Sequence, residues 1–94
     1  MEKIYLFNMT ILSILATVFG TFMGLANIPQ AIKIFKRKSA KDISIITYSL
    51  IWIGTIVWTI YGFELNNQAV IIANGLGAII TSFVMVGWFL YGKV

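Results

Sequence analysis

Residues 7–35 read FNMTILSILATVFGTFMGLANIPQAIKIF, an apolar run that contains a single charge, Lys33. The run exceeds the roughly 20 residues that a helix needs to cross the hydrocarbon core of a bilayer. Pro29, the only proline, lies inside it. Because proline lacks a backbone donor and its ring presses on the carbonyl of Leu25, we expect a bend or hinge at Pro29 and Gln30 within the membrane. Such a break favours a cavity, because the freed carbonyl must be satisfied by protein or water.

Two further apolar runs of membrane-spanning length follow, at residues 43–63 and 69–91. The 94 residues are 60% hydrophobic and 11% charged, which is more apolar and less charged than soluble domains. We therefore predict an all-α membrane protein with one domain, residues 1–94, and three membrane-spanning helices. A secretory signal is the alternative for the first run, but its apolar part exceeds the roughly 7–15 residues of a signal core.

Basic residues are concentrated at one end of the predicted bundle. All but one of the seven cations lie in or beside the loop 36–42 or after the third span: Lys33, Lys36, Arg37, Lys38, Lys41 and Lys93. Two crossings separate these places, so they lie on one side, which the positive-inside rule assigns to the cytoplasm. The sequence thus predicts a multi-pass protein of the cytoplasmic membrane with its N-terminus outside and its C-terminus and basic loop inside. Lipid headgroups are the alternative partner of this charge, and nucleic acid is not expected.

The composition also argues against catalysis. The chain contains no histidine or cysteine, and its three acidic residues do not form a pair. Without these groups the serines have no base to activate them, so we expect no enzyme, no metal site and no cofactor. No Asp, Glu or Arg lies within the predicted spans, whereas proton relays in transporters normally need titratable groups at that depth. We therefore expect no proton coupling.

Uncharged polar residues lie within the spans. An amide buried in hydrocarbon needs a partner, so Asn27, Gln30 and Asn74 must face protein, water or ligand. Trp58 and Asn74 should lie at similar depth across the second and third helices, where an indole face and an amide suit a neutral sugar, and Gly54 leaves room beside the ring. The alternatives are an interfacial role for Trp58 and a helix-joining hydrogen bond for Asn74.

The two segments that connect the predicted spans also lead to hypotheses. Asp42 precedes the second predicted helix, where it would accept hydrogen bonds from the first free amides; the alternative is a charged closure with Lys33. Residues 64–68 form a polar outer turn so short that it makes the second and third spans a hairpin.

Close packing is predicted for the first span, and oligomerisation for the whole chain. Gly20 and Gly24 fit the small-xxx-small pattern of closely approaching helices. Three helices are too few to enclose a path for a solute larger than water or an ion. Since all copies insert in one orientation, we predict a parallel homodimer.

Several short motifs occur in a fixed order along the chain. They are Asn27-Ile-Pro-Gln30 followed by Lys33, Lys41-Asp-Ile-Ser44 followed by Tyr48, Trp58 with Tyr61-Gly62, and Ala73-Asn74. In this order and spacing they resemble the bacterial SemiSWEET transporters of the PQ-loop group, in the SWEET or MtN3/saliva family. The resemblance covers nearly the whole chain, and the set is more specific than Pro-Gln alone.

The resemblance implies a homodimer of three-helix bundles, with the third helix between the first and second, that passes sugars by alternating access. By this resemblance, the substrate site would be formed by Trp58, Asn74 and Gly54, and the hinge by Pro29 and Gln30. The outer gate would begin at Tyr61. The other expected gate residues are Tyr48, Lys33 and Asp42. Some relatives close the outer gate with an Arg and an Asp. Here Leu65 and Asn67 stand instead, so closure is expected to rely on Tyr61, Asn66 and packing.

The expected function is therefore a uniporter-like facilitator of a glucose- or sucrose-like mono- or disaccharide, without ion coupling. Its expected partners are the sugar, a second copy of the chain and membrane lipid. Two other classes stay open. One is a PQ-loop transporter of an amino acid or another small metabolite, which the lack of embedded charge disfavours, and the other is a non-transporting membrane scaffold subunit.

Overall fold

The computed structural model describes residues 10–93 and contains four α-helices: α1 (Ile11–Leu25), α2 (Ile28–Arg37), α3 (Ile45–Leu65) and α4 (Gln68–Tyr91). The described residues contain no strand. α1 and α2 together form one candidate span of 27 residues, so 3 helical segments are long and apolar enough to cross a membrane. The predicted all-α membrane fold is confirmed. Residues 7–9 of the first expected run lie outside the described residues.

The first span is interrupted just before its proline. α1 ends at Leu25, and the Asn27 N–H donates to the Gly24 carbonyl at 3.4 Å, a tighter turn than the α-helix makes. Pro29 then lies in the first turn of α2, where an amide would have no partner within α2 itself. The break expected from the proline is therefore present at Ala26 and Asn27, and its role as a hinge stays a prediction.

The third span, α4, packs between the other two, contacting α1 and α2 on one side and α3 on the other. This helix order is the predicted one. Small residues bring α1 and α4 together: a Cβ placed on Gly20 would lie 2.7 Å from the Cβ of Ala73, and one on Gly24 would lie 3.2 Å from the amide nitrogen of Gly77. The small-xxx-small pattern of the first span is thus matched by a second one on α4.

The same parallel register continues along α2. A Cβ on Gly87 would lie 2.6 Å from Cγ2 of Ile34, and this pair has the same sequence separation as Gly20 with Ala73 and Gly24 with Gly77. The break in the first span therefore does not shift its register on α4.

The second and third spans form a hairpin, and its turn is shorter than expected. A left-handed residue, Asn66 (φ 53°), ends α3, and the side chain of Asn67 caps α4 by accepting the Val70 N–H at 3.2 Å. Glu64 and Gln68, expected in the turn, belong to the last turn of α3 and the first turn of α4. Two asparagines are enough to form the turn, because one adopts the left-handed conformation readily and the other accepts a hydrogen bond from a free amide of α4.

The basic loop is tied to the end of α4. The Ala40 N–H donates to the Tyr91 carbonyl at 3.0 Å, and Ala40 is completely buried beside Ile34 and Val84. Ser44, rather than Asp42, caps α3, since its side chain accepts the Thr47 N–H at 3.3 Å. The capping role expected for Asp42 is therefore wrong, because the helix begins at Ile45 and leaves this exposed carboxylate two residues outside the cap.

Substituting Gly20 by alanine should destabilise the bundle. The new Cβ would meet the rigid Cβ of Ala73 at 2.7 Å, and overpacking of this kind costs about 1–3 kcal/mol. Gly75→Ala is the matched control, because the nearest atom to its Cβ is Cγ2 of Thr59 at 3.9 Å. Unfolding of the purified variants in mixed micelles should show Gly20→Ala less stable and Gly75→Ala unchanged or more stable. Equal stability of the two variants would contradict this packing.

Candidate functional site

Trp58 and Asn74 lie at the same level of the hairpin. Cγ2 of Thr55 lies 3.2 Å from the Cβ position of Gly77, and each of these residues lies three positions nearer the basic end than one member of the pair. Counted from the ends of their helices, both lie about 10 Å from the outer turn at a rise of about 1.5 Å per residue. The fold thus brings the expected indole and amide to one depth, and their role in sugar binding stays a prediction.

The indole of Trp58 is available in the protomer. The side chain is 51% exposed and meets the ring of Tyr61 edge to face, with ring centroids 5.6 Å apart. One turn earlier, a Cβ on Gly54 would meet no atom within 4 Å. The space beside the indole is therefore open at the place where the sequence suggests room for a ligand.

In the carboxamide of Asn74, the nitrogen makes a hydrogen bond and the oxygen makes none in the described part of the chain. Its Nδ2 donates to the Val70 carbonyl at 3.0 Å, one turn earlier in α4. Within residues 10–93 its Oδ1 accepts no hydrogen bond, and this oxygen is not completely buried. The amide therefore does not join helices within the protomer, and it presents an accessible acceptor.

The threonine hydroxyls at this level and toward the basic end donate within their own helices. Thr21 donates to the Thr17 carbonyl at 2.7 Å, Thr59 donates to the Thr55 carbonyl at 2.6 Å, and Thr81 donates to Gly77 at 2.7 Å. Each hydroxyl proton satisfies its own helix, so these positions offer no free donor. Asn74 is distinct from them because its second polar atom makes no hydrogen bond among the described residues.

A second polar contact lies nearer the basic end of the bundle. The Tyr48 hydroxyl donates to Oδ1 of Asn27 at 3.2 Å, which joins the second span to the break in the first. Asn27 precedes α2 but makes no side-chain capping bond. Its oxygen is instead engaged across the bundle, so Tyr48, one of the expected gate residues, contacts the interrupted segment directly.

The other expected gate and hinge residues lie at the surface of the protomer. Lys33 and Asp42 are both exposed, and no ion pair joins them within the described range 10–93. Pro29 is exposed and Gln30 is half-buried. By the register of the first span on α4, Pro29 lies level with Ser82, about 12 Å from the level of Asn74. The break and the Trp58–Asn74 level are therefore separate.

Sequence reasoning missed two contacts between spans. These are the Tyr48–Asn27 hydrogen bond and the 2.8 Å bond from Nε1 of Trp52 to Oγ of Ser82. An asparagine shortly before a proline is typical of a helix cap, so the sequence gives no signal that its side chain reaches across the bundle. The indole of Trp52 gives a clearer signal, because a buried indole N–H normally finds an acceptor.

Known proteins resemble this chain over most of its length. Residues 10–94 match the family described as sugar efflux transporters for intercellular exchange, MtN3. The sugar transporter SemiSWEET of Bradyrhizobium diazoefficiens is 30% identical over 73 residues, 78% of this chain and 85% of that protein. An uncharacterized protein of Methanocaldococcus jannaschii is 32% identical over 68 residues, 72% of this chain and 70% of that one. No solved structure matches the chain.

The family match and the fold agree. The match begins at the first residue of the described structure and includes all three candidate spans. The SemiSWEET relative is covered over most of its own length, so the likeness is not confined to a fragment of it. The chain is therefore a member of the SemiSWEET and MtN3 family of membrane-embedded sugar transporters.

Proposed function

We propose that this protein is a uniporter-like facilitator that equilibrates a mono- or disaccharide across the cytoplasmic membrane by alternating access in a parallel homodimer. The observation that carries the proposal is the shared level of Trp58 and Asn74, with a half-exposed indole and an unoccupied amide oxygen. An apolar ring face can stack on the C–H side of a pyranose, and an amide oxygen can accept from its hydroxyls. The relatives supply the substrate class.

A homodimer completes the path in this proposal. One protomer leaves Trp58 open on its surface, and three helices cannot surround a sugar. A second copy related by a twofold axis along the membrane normal brings two indoles and two amides to one level. The sugar then lies between the protomers, where an amide from each can pair with its hydroxyls.

Alternating access requires that the two mouths open in turn. At the basic end, which the positive-inside rule places in the cytoplasm, the Tyr48–Asn27 bond ties the second span to the break beside Pro29. Movement of α2 about that break would separate this contact and open the cytoplasmic mouth. At the other mouth Leu65 and Asn67 carry no charge, so closure rests on Tyr61, Asn66 and packing.

The candidate site is tested by removing its two side chains separately. Trp58→Ala and Asn74→Ala should each lower glucose or sucrose flux in proteoliposomes at least about tenfold, because a tenfold loss corresponds to only about 1.4 kcal/mol of substrate interaction. Phe63→Ala is the control, since Phe63 is an exposed aromatic (64%) on another face of α3. Cross-linking should show all three variants assembled.

The outcomes of that experiment separate the classes of function. Undiminished flux in both site variants would refute the site, and no flux of any sugar by the wild type would favour a scaffold subunit. Competition by an amino acid, with none by sugars, would favour a transporter of other metabolites.

The hinge is tested with Pro29→Ala. Alanine restores an amide that can donate to the Leu25 carbonyl and removes the ring that crowds it, so the two helices should merge and the mouth should move less. We expect sugar exchange to slow several-fold, with sugar affinity, measured by calorimetry, unchanged. Exchange as fast as in the wild type would refute the hinge.

The cytoplasmic closure is tested with Tyr48→Phe, which removes only the hydroxyl. Membrane hydrogen bonds average about 0.6 kcal/mol, so the mouth should open about threefold more often.

A reporter Val84→Cys suits the measurement, because Val84 is fully buried with Tyr48 packed near it and the chain has no other cysteine. Thiol labelling should be about threefold faster in the Tyr48→Phe background and unchanged with Tyr91→Phe, whose hydroxyl makes no hydrogen bond among the described residues. Equal labelling rates in all three backgrounds would refute the closure.

A further inference from the structure

A second concave surface lies between α2 and α4, away from the candidate sugar site. This groove has a volume of about 570 Å³. Its walls include apolar side chains of both helices and one cation: Ile28, Ile32, Phe35, Lys36, Ile80 and Phe83. The volume lies within the range of about 300–1,000 Å³ that is usual for small-molecule sites. The walls contain no hydrogen-bonding side chain except that of Lys36, which excludes a sugar as the occupant.

The groove faces away from the proposed path. Asn74 and Phe83 are nine residues apart on α4, which at about 100° per residue places them on opposite sides of the helix. Phe83 is 58% exposed, and Ile32 on the facing helix is 51% exposed. A dimer that joins the Asn74 faces therefore leaves this groove open to the bilayer.

The shape of the groove suits one acyl chain of one leaflet. From Ile28 to Lys36 it extends about 12 Å along α2, a little less than half of the roughly 30 Å hydrocarbon core. Its apolar part begins beside the helix break, and its charged end lies at the basic loop. A chain that enters from that membrane surface would follow the groove to the depth of the break.

The positive charge at the Lys36 end of the groove favours a lipid with an anionic headgroup. Lys36 lines the groove itself, and Lys33, Arg37, Lys38 and Lys41 lie within five residues of it along the chain, with Asp42 as the nearest acid in the sequence. A cation near a membrane surface contributes about 1 kcal/mol toward anionic lipid. We propose that the groove binds an anionic phospholipid, with an acyl chain between α2 and α4 and the phosphate beside Lys36.

This site would link the lipid to the interrupted span. Ile28, in the first turn of α2, and Phe35, in its last turn, both line the groove, so an acyl chain contacts α2 over nearly its whole length. The same chain contacts Ile80 and Phe83 on α4, and it therefore bridges the segment after the break to the central helix. Lipid occupancy would favour the arrangement in which α2 stays packed on α4.

Binding is tested by native mass spectrometry of the purified protein with phosphatidylglycerol, and with phosphatidylcholine of the same acyl chains. Lys36→Gln should weaken phosphatidylglycerol binding about fivefold, the equivalent of about 1 kcal/mol, and leave phosphatidylcholine binding unchanged. Lys93→Gln is the matched control, because it removes the same charge from an exposed residue outside the groove. Equal weakening by both variants would show diffuse surface attraction and overturn the proposal.

The groove itself is tested by filling it. Ile32→Trp should weaken the binding of both lipids at least about fivefold, whereas Ile53→Trp, at an equally exposed isoleucine (54%) on α3, should have no effect. Thermal unfolding should show that phosphatidylglycerol protects the wild type more than the Ile32→Trp variant. Unchanged lipid binding in Ile32→Trp, or a loss of dimer with lipid binding intact, would overturn the proposal and assign the surface to lipid-independent packing or to a protein interface.

Discussion

The close approach of all three spans at Gly77 is the constraint on which the rest of the structure depends. A Cβ on Gly24 would lie 3.2 Å from the Gly77 nitrogen, and a Cβ on Gly77 would lie 3.2 Å from Cγ2 of Thr55. Lipid tails are as apolar as the helices, so a bilayer offers little hydrophobic reward for association, and close backbone packing supplies much of the stability. The small residues at this crossing allow that packing, and they fix α4 against both neighbours at once.

The crossing divides the inner surface of the protomer into two parts. Toward the basic end, Thr81 and Val84 are fully buried, and the Tyr48–Asn27 bond joins the spans at that end. Toward the outer turn, Trp58 remains half exposed. The side chains named here thus have different surroundings on the two sides of Gly77, with a buried cluster toward the basic end and an open indole toward the outer turn. A path that can be closed at one end and occupied at the other fits this asymmetry.

The sequence predicts the elements better than it predicts their contacts. Apolar length and the single proline suffice for three spans and one break, because these depend on local backbone chemistry. The small residues at Gly20 and Gly24 likewise predict a close approach, but the partner surface at Ala73 and Gly77 is decided by the packing of the whole bundle. At the basic loop, both Asp42 and Ser44 are good capping residues. The choice between them depends on where the loop is held by the Ala40 bond to the end of α4, which no local pattern reveals.

The membrane amides show how strongly polar satisfaction limits the possible functions. The threonines satisfy their own helices, and the oxygen of Asn27 is paired with Tyr48. The oxygen of Asn74 has no partner among the described residues, and leaving such an acceptor in hydrocarbon costs about 1–3 kcal/mol by protein mutational data. An open acceptor at the level of a half-exposed indole suits a donor from outside the protomer. A second copy, water or a sugar hydroxyl can supply it, and the path proposed between two protomers would offer all three.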